Sequence, residues 1–255
     1  MNVSLRFEDR PGGKVAFLTI DHREKLNVLN RAGIDAVNGK LAELSGDQHL
    51  RALVLRGAGD KAFIGGADIR DLVKLDRKSG IEFITALHRV CEGIRHLEVP
   101  VIARIEGYAL GGGLEVAASC DLRISGLSGR FGMPEVKVGI PSVIEAALLP
   151  GLIGWGRTRR FLLLAETIDA ATALKWGLIE EAVPDAELDQ AIETALASIL
   201  ACGREALRLQ KLLIQEWEDL PMRDAIERGI TRFADSFGSD EPQRMMAKFL
   251  TRGRS

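Results

Sequence analysis

The residues best placed to do chemistry lie in a glycine-rich segment, where Gly111, Gly112 and Gly113 precede Glu115. An apolar stretch with β propensity, residues 99–105, comes before the glycines and helix-forming alanines follow them, so we expect a strand to pass into a helix here. The first N–H groups of a helix have no intrahelical acceptor and can stabilise negative charge on a substrate oxygen. Glu115 follows Gly112 by about 4.5 Å along the helix axis, which sets a carboxylate beside that donor. The structural alternative is a tight turn whose glycines only permit close packing.

A second corner with glycines, Gly65 and Gly66, follows another apolar stretch and precedes a helix expected to begin near Asp68. An aspartate at this position is also typical of an ordinary helix cap. Two separate corners that each present a backbone N–H are, however, what a two-donor oxyanion hole requires.

Another carboxylate, Glu135, lies in an irregular segment held by Pro134 and Pro141. A glutamate in a loop is usually solvated. The apolar neighbours of Glu135 favour partial burial, which would raise its pKa towards a value useful in proton transfer.

Several other site types do not fit the sequence. No Gly-Lys-Ser/Thr follows Gly107 at the spacing of a phosphate-binding loop, and the glycines 151, 154 and 156 have the wrong spacing for a dinucleotide fingerprint. The segment 126–130 lacks the closing glycine of a serine-hydrolase nucleophile elbow. We interpret His88 and His96 as ordinary helix residues, because neither has a partner at metal-ligand spacing.

The composition of the 255 residues, 46% hydrophobic and 27% charged, is ordinary for a soluble globular protein. The formal charge of -2 argues against nucleic-acid binding. No apolar run of about 18 residues predicts a membrane span, and the N-terminus has no secretion signal. Three scattered cysteines favour a reducing cytoplasm over a disulfide framework.

Hydrophobic periodicity predicts an alternation of strands and helices with a helical C-terminal part. The predicted strands cover residues 15–20, 51–56, 99–107, 121–126 and 178–183. The predicted helices cover residues 31–45, 80–97, 143–149 with a break at Pro150-Gly151, 157–166 and 167–177, with helices throughout from residue 185. We expect the first two strands to be parallel, and the last helices to pack on the core and on a neighbouring subunit.

The motifs at residues 62–72, 106–115 with Cys120-Asp121, and 131–135, in this order and spacing, resemble the crotonase family of enoyl-CoA hydratases and isomerases. The resemblance implies an α/β fold with a spiral of ββα units over residues 1–190. It also implies a helical region over residues 191–255 that forms trimers, or hexamers made of two trimers. The implied substrate is an acyl-CoA thioester, with no metal or other cofactor and no nucleic-acid or membrane partner.

The resemblance also assigns roles to individual residues. Ala67 and Gly112 match the residues whose N–H groups hold the thioester oxygen, and Glu115 and Glu135 match the acid–base pair. We assign water activation to Glu115 and proton donation to Glu135. The predicted substrate-binding residues are Lys25, Gly65, Ala67, Asp68, Ile69, Arg70, Gly111 and Gly112. Phe249 and Arg252 align with residues that reach the CoA of a neighbouring subunit.

The chain departs from typical hydratases at residues 144–149, which replace a Gly-Gly-Thr-Gln-Arg-Leu-like run beside the acyl pocket. This places a third carboxylate, Glu145, near the site, although a surface or helix-end position is the expected one. The motifs and the two matched glutamates predict hydration of a 2-enoyl-CoA as the function, with double-bond isomerisation or hydrolysis of a 3-hydroxyacyl-CoA as alternatives. A non-catalytic CoA- or RNA-binding relative is disfavoured, because both glutamates are present and the charge is balanced.

Overall fold

Two β-sheets with helices around them build the fold, which a computed structural model describes for residues 1–252, the side chains of residues 248, 249, 251 and 252 excepted. The strands are β1 (Asn2–Arg10), β2 (Gly13–Asp21), β3 (Leu50–Gly57), β4 (Ala62–Ile64), β5 (Val101–Ile105), β6 (Tyr108–Leu110), β7 (Leu122–Gly126), β8 (Arg130–Gly132), β9 (Thr167–Asp169) and β10 (Glu181–Val183). The α-helices are α1 (Arg31–Leu44), α2 (Ile69–Leu72), α3 (Arg77–His96), α4 (Gly112–Ala118), α5 (Leu149–Leu164), α6 (Ala170–Trp176), α7 (Leu188–Ala201), α8 (Arg204–Asp219), α9 (Met222–Ser236) and α10 (Glu241–Arg252). Short 3-10 helices cover Arg23–Lys25, Glu135–Val138, Ile144–Leu148 and Asp185–Glu187.

Consecutive strands go to different sheets, and this alternation produces the predicted ββα units. The first sheet has the order β1-β2-β3-β5-β7-β10, and the second has the order β4-β6-β8-β9. In the second sheet β4, β6 and β8 are parallel neighbours. The segments that follow these three strands therefore leave from the same edge of the sheet, which is where ligands bind in many α/β proteins.

The central strands of the first sheet are buried on both faces, which explains the continuous apolar run of β3. Leu53 and Leu55 belong to the larger core cluster, whereas Ala52 and Val54 belong to a second cluster together with residues of α7. Successive side chains of a strand point to opposite faces, so one strand contributes to both clusters. The predicted boundary at residue 190 falls within α7, and the division into two domains stays a prediction.

A buried lysine fastens α8 to the core. Lys211 Nζ donates hydrogen bonds to the carbonyls of Ile94 and Val99, both at 3.0 Å, and forms an ion pair with Asp121 at 2.8 Å. Burial lowers the pKa of Lys211. All three donors of the ammonium group are thus used, as a buried charge requires.

The predicted alternation is confirmed, with three differences. The prediction assigned no strand to residues 2–10, where β1 pairs antiparallel with β2 across a turn at Gly12. The predicted break at Pro150-Gly151 is wrong, because Pro150 lies in the first turn of α5, where its missing N–H costs nothing, and the kink is at Gly154 (φ 77°). The predicted helix 167–177 begins only after β9, with Asp169 as its cap and Gly177 as its end.

Candidate active site

The segments after β4, β6 and β8 line one cavity of about 140 Å³. Of the residues predicted for the site, the cavity brings together Gly65, Ala67, Ile69, Gly111, Gly112, Glu115 and Glu135. Most of the remaining lining is apolar and includes Leu72, Phe83, Ile84, Leu87, Val138 and Val143. A cavity with this lining suits an acyl chain whose reactive end meets a few polar groups.

Ala67 turns its backbone towards this cavity because both of its neighbours are held by Leu29. Leu29 donates a hydrogen bond to the Gly66 carbonyl at 2.8 Å, and its own carbonyl accepts one from Asp68 at 2.9 Å. In such a parallel bridge the residue between the two bonded neighbours directs its own N–H away from the bridge partner. The Ala67 N–H therefore points away from Leu29. Within the described residues no acceptor pairs with the Ala67 N–H, so this donor is available to a ligand.

Gly112 supplies a second donor of the same kind at the start of α4. Its N–H is the first of the helix and finds no acceptor among residues 1–252. The preceding residue, Gly111, has φ 51°, a left-handed conformation that glycine adopts at little cost. Gly111 donates to the Gly132 carbonyl of β8 at 2.8 Å, which fixes the corner.

Both glutamate carboxyl groups approach these glycines. A Cβ atom on Gly111 would lie 2.2 Å from Oε1 of Glu135, and a Cβ atom on Gly112 would lie 3.9 Å from Oε2 of Glu115. Both carboxyl groups therefore face the same short length of backbone. The segment 111–113 is more than a tight turn, because the carboxyl groups of Glu115 and Glu135 lie beside the unpaired N–H of Gly112.

Glu115 is only 4% exposed, and its carboxyl group is held by the backbone of the next segment. Oε1 accepts a hydrogen bond from the Ala146 N–H at 3.2 Å. Burial, followed by the negative charge of Glu135, raises the pKa of Glu115 to about 8. Glu115 therefore keeps a proton at neutral pH.

Glu135 begins a 3-10 helix and is partly buried, as predicted. Its Oε2 accepts a hydrogen bond from the Ser142 hydroxyl at 2.8 Å. Ser142 was expected to open a helix and its contact with Glu135 was not predicted, because only the folded path of residues 135–142 brings the two side chains together.

Comparison with known proteins places this geometry in a family. The sequence profile of a family described as Enoyl-CoA hydratase/isomerase matches residues 10–255. The chain belongs to this enoyl-CoA hydratase/isomerase family. The resemblance to the crotonases seen in the motifs is thereby confirmed.

Individual members of the enoyl-CoA hydratase/isomerase family cover nearly the whole chain. The short-chain-enoyl-CoA hydratase of Clostridium acetobutylicum is 33% identical over 239 residues, which are 93% of this chain and 92% of that protein. The crotonyl-CoA hydratase of Syntrophomonas wolfei is 33% identical over 247 residues, 95% of this chain and 94% of that protein. A crystal structure of enoyl-CoA hydratase from Bacillus anthracis matches with a TM-score of 0.93 at 25% identity, covering 99% of this chain and 97% of that one.

Three of the predicted substrate-binding residues lie outside the cavity lining. Lys25 is exposed in the 3-10 helix Arg23–Lys25, next to Leu26, whose carbonyl accepts a hydrogen bond from Gly65 at 2.8 Å. Asp68 caps α2 by accepting from the Arg70 N–H at 3.0 Å, and the Arg70 guanidinium lowers the pKa of Asp68 to about 2. Asp68 and Arg70 thus form the ordinary helix start that was the structural alternative. The side chains of Phe249 and Arg252, aligned with the family's inter-subunit contacts, lie outside the described residues.

Glu145 lies near the end of a short helix, one of its two expected positions, but it is buried, so the other expectation, a surface position, is wrong. It is 8% exposed in the 3-10 helix Ile144–Leu148, and its Oε1 lies 2.7 Å from Nδ1 of His88 on α3. The prediction treated residues 143–149 as one helical stretch. The tighter 3-10 turn and a left-handed Ile144 instead direct Glu145 inwards.

Neither a metal cluster nor a membrane span accompanies the site in the part of the chain that the structure describes. No group of three or more His, Cys, Asp and Glu side chains there is arranged to hold a metal ion. No helix there is long and apolar enough to cross a bilayer.

Substituting alanine for Gly113 is expected to destabilise the protein by about 2–3 kcal/mol, because overpacking against backbone cannot relax cheaply. A Cβ atom there would lie 2.1 Å from the Ile64 carbonyl oxygen of β4. Urea unfolding of G113A measures the loss. The matched control is G151A in α5, which meets no atom within 4 Å and is expected to be neutral or up to about 1 kcal/mol more stable. Equal stability of G113A and G151A would contradict the close packing of α4 on β4.

Proposed function

We propose that this protein is an enoyl-CoA hydratase, which adds water across the C2=C3 bond of a 2-enoyl-CoA thioester. One observation carries the proposal: Ala67 and Gly112, whose N–H groups have no acceptor within the described residues, line the same cavity as Glu115 and Glu135. The activities named for the two relatives from Clostridium and Syntrophomonas support it.

The two amides would act as an oxyanion hole. A thioester carbonyl that accepts hydrogen bonds from both draws electron density away from C3 and makes this carbon electrophilic. When water adds at C3, the carbonyl oxygen takes on the negative charge of an enolate. One preorganised donor lowers the activation free energy by about 3–4 kcal/mol in a comparable site.

The glutamate pair would handle the protons. Water forms a bond to C3 and gives a proton to the ionised carboxylate, while the protonated carboxyl group gives its proton to C2. The pair begins and ends with one proton, so the addition needs no cofactor beyond the CoA of the substrate. Since the pKa of Glu115 is raised to about 8, the pair holds this proton at neutral pH. The raised pKa places the proton on Glu115 in the free enzyme, whereas the predicted assignment of Glu115 as base and Glu135 as donor requires it on Glu135. This division of roles stays a prediction.

A panel of CoA thioesters tests the proposal. Hydration removes the absorbance of the conjugated enoyl thioester without releasing CoA. Release of free CoA from 3-hydroxyacyl-CoA would indicate the hydrolase alternative, and formation of a conjugated product from a 3-enoyl-CoA would indicate the isomerase. Because the relatives are named for short-chain and crotonyl substrates, we expect the highest kcat/KM for short 2-enoyl chains.

The rate of hydration is expected to fall above about pH 8. The pKa of Glu115 is raised to about 8, so below this pH the pair keeps the proton that C2 receives, and above it the proton is lost. The value of kcat/KM should then decrease about tenfold per pH unit, because this parameter reports groups of the free enzyme. Initial rates between about pH 6 and 10 measure it, and a rate that stays level to about pH 10 would contradict a pair sharing one proton.

The C-terminal helices would mediate assembly into a homotrimer, or a hexamer made of two trimers. A groove along α9 is lined by apolar side chains, and several of them are exposed in the single chain: Met222, Ile226, Ile230 and Phe233. Amphipathic helices seldom leave such a face in water, so a second copy is the proposed occupant. Light scattering of the purified protein tests this. The free cysteines Cys91, Cys120 and Cys202 agree with the proposed cytoplasmic location.

A further inference from the structure

A strained residue lies next to the catalytic pair. Ile144 has φ 38°, and a left-handed conformation is uncommon for a β-branched residue. Such strain persists only where the surrounding structure enforces it, and it is frequent at functional sites. Here it separates Val143, which lines the cavity, from Glu145, which turns into the protein.

Glu145 is held in this buried position by a hydrogen bond with His88. Its Oε1 lies 2.7 Å from His88 Nδ1, whereas its buried Oε2 has no partner within the described residues. A buried carboxylate oxygen without a donor lowers stability. The chain thus maintains two unfavourable features, at Ile144 and at Glu145, in adjacent residues.

These features are joined to the catalytic pair through Ala146. Its N–H donates to Glu115 Oε1 at 3.2 Å, so the turn that buries Glu145 is the one that holds Glu115. His88 follows Leu87, a residue of the cavity lining, and its side chain is 44% exposed. The third carboxylate therefore belongs to the turn that contacts Glu115 but does not line the cavity, and its partner reaches water.

We propose that Glu145, oriented by His88, is a positioning residue that keeps the transferable proton on the Glu115–Glu135 pair. A negative charge beside Glu115 opposes its ionisation, and the contact with His88 Nδ1 keeps the Glu145 carboxyl group in place. The inference rests on the proposed hydratase function for its purpose, since a pair that loses its proton cannot protonate C2.

The charged groups around Glu115 agree with this role. Glu135 faces it across the cavity, and Glu145 adds a further negative charge that raises the pKa of Glu115. Cys91, one turn after His88 on α3, also faces this cluster, but burial raises the pKa of its thiol and leaves it neutral. Among these groups His88 has the one basic side chain, and it contacts Glu145.

The decisive experiment follows the Glu115 carboxyl group directly by NMR with 13C-labelled glutamate. The resonance is assigned by its absence in E115Q. Its titration midpoint in the wild type is expected at about pH 8. In E145Q, which keeps the size of the side chain and removes its charge, we expect the midpoint to fall by about half a unit or more. We expect the same direction for H88Q, because Glu145 then loses the side chain that orients it.

The controls separate this role from a structural one. H96Q changes a histidine on the same helix whose Nδ1 contacts the Glu92 carbonyl of that helix. The titration midpoint of Glu115 in H96Q should match that of the wild type. The double variant E145Q/H88Q should shift no further than E145Q alone, since His88 acts through Glu145. An unchanged midpoint in E145Q overturns the proposal, and a shift in E145Q without one in H88Q overturns the part played by His88.

The pH profile of hydration gives a second readout. In E145Q the decrease in kcat/KM should begin at lower pH, by the same shift as the NMR midpoint. If the wild type shows no hydration, the proposed function fails while the NMR titration still decides the role of Glu145. If hydration is normal and the midpoints coincide, only the inference on Glu145 fails.

Discussion

Substituting glutamine for Glu115 or for Glu135 is expected to lower kcat for hydration by about 10²–10⁴-fold, the range typical of a lost general acid or base. The amide keeps the shape of the carboxyl group but transfers no proton. The dissociation constant of an unreactive acyl-CoA should change only a few-fold, because the proposed carbonyl donors are the main-chain N–H groups of Ala67 and Gly112. Steady-state kinetics and a binding titration measure the two effects separately.

The two substitutions should also be strongly non-additive. If the pair acts as a unit on one water molecule, the double variant E115Q/E135Q is little less active than the less active of the two single variants. Glu92 is exposed on α3, and E92Q serves as the matched control with wild-type kinetics. Near-normal hydration by either active-site variant would remove that residue from the mechanism.

The same E115Q substitution is expected to stabilise the folded protein at pH 8, by about 4 kcal/mol at most. The pKa of Glu115 is raised from 4.5 to about 8 in the folded state, so folding must bind a proton that the unfolded chain has lost. This cost is absent below about pH 4.5, grows as the pH rises, and is complete near pH 8. Glutamine has no such cost, and its oxygen can still accept the hydrogen bond from Ala146.

Urea unfolding at about pH 5, 6.5 and 8 measures this dependence, at one protein concentration because assembly also stabilises the chain. The difference between E115Q and the wild type should increase with pH, and E92Q should show no such trend. If E115Q were less stable than the wild type at pH 8, the raised pKa of Glu115 would not be a cost to folding. A stabilised but inactive variant is the usual sign of a residue retained for function.

Local sequence signals predicted the corners of the site well. The glycines at 111–113 and the Asp68 cap were found because each depends on a few neighbouring residues and on backbone chemistry alone. The 3-10 turn at residues 144–148 was missed, because helix-forming residues fill it and only packing against α3 and α4 decides its path. The burial of Glu145 and its contact with His88 were missed for the same reason.

The sequence by itself determined the family, the alternation of strands and helices, and the residue types of the candidate site. Only the tertiary structure decided which of them meet: β4, β6 and β8 lie side by side in one sheet, so Ala67, Gly112 and Glu135 reach one cavity. It also decided the proton chemistry, since the pKa of Glu115 depends on burial and on the charges of Glu135 and Glu145, which are distant along the chain. Desolvation and Coulomb interactions act through space, and a linear sequence does not contain those distances.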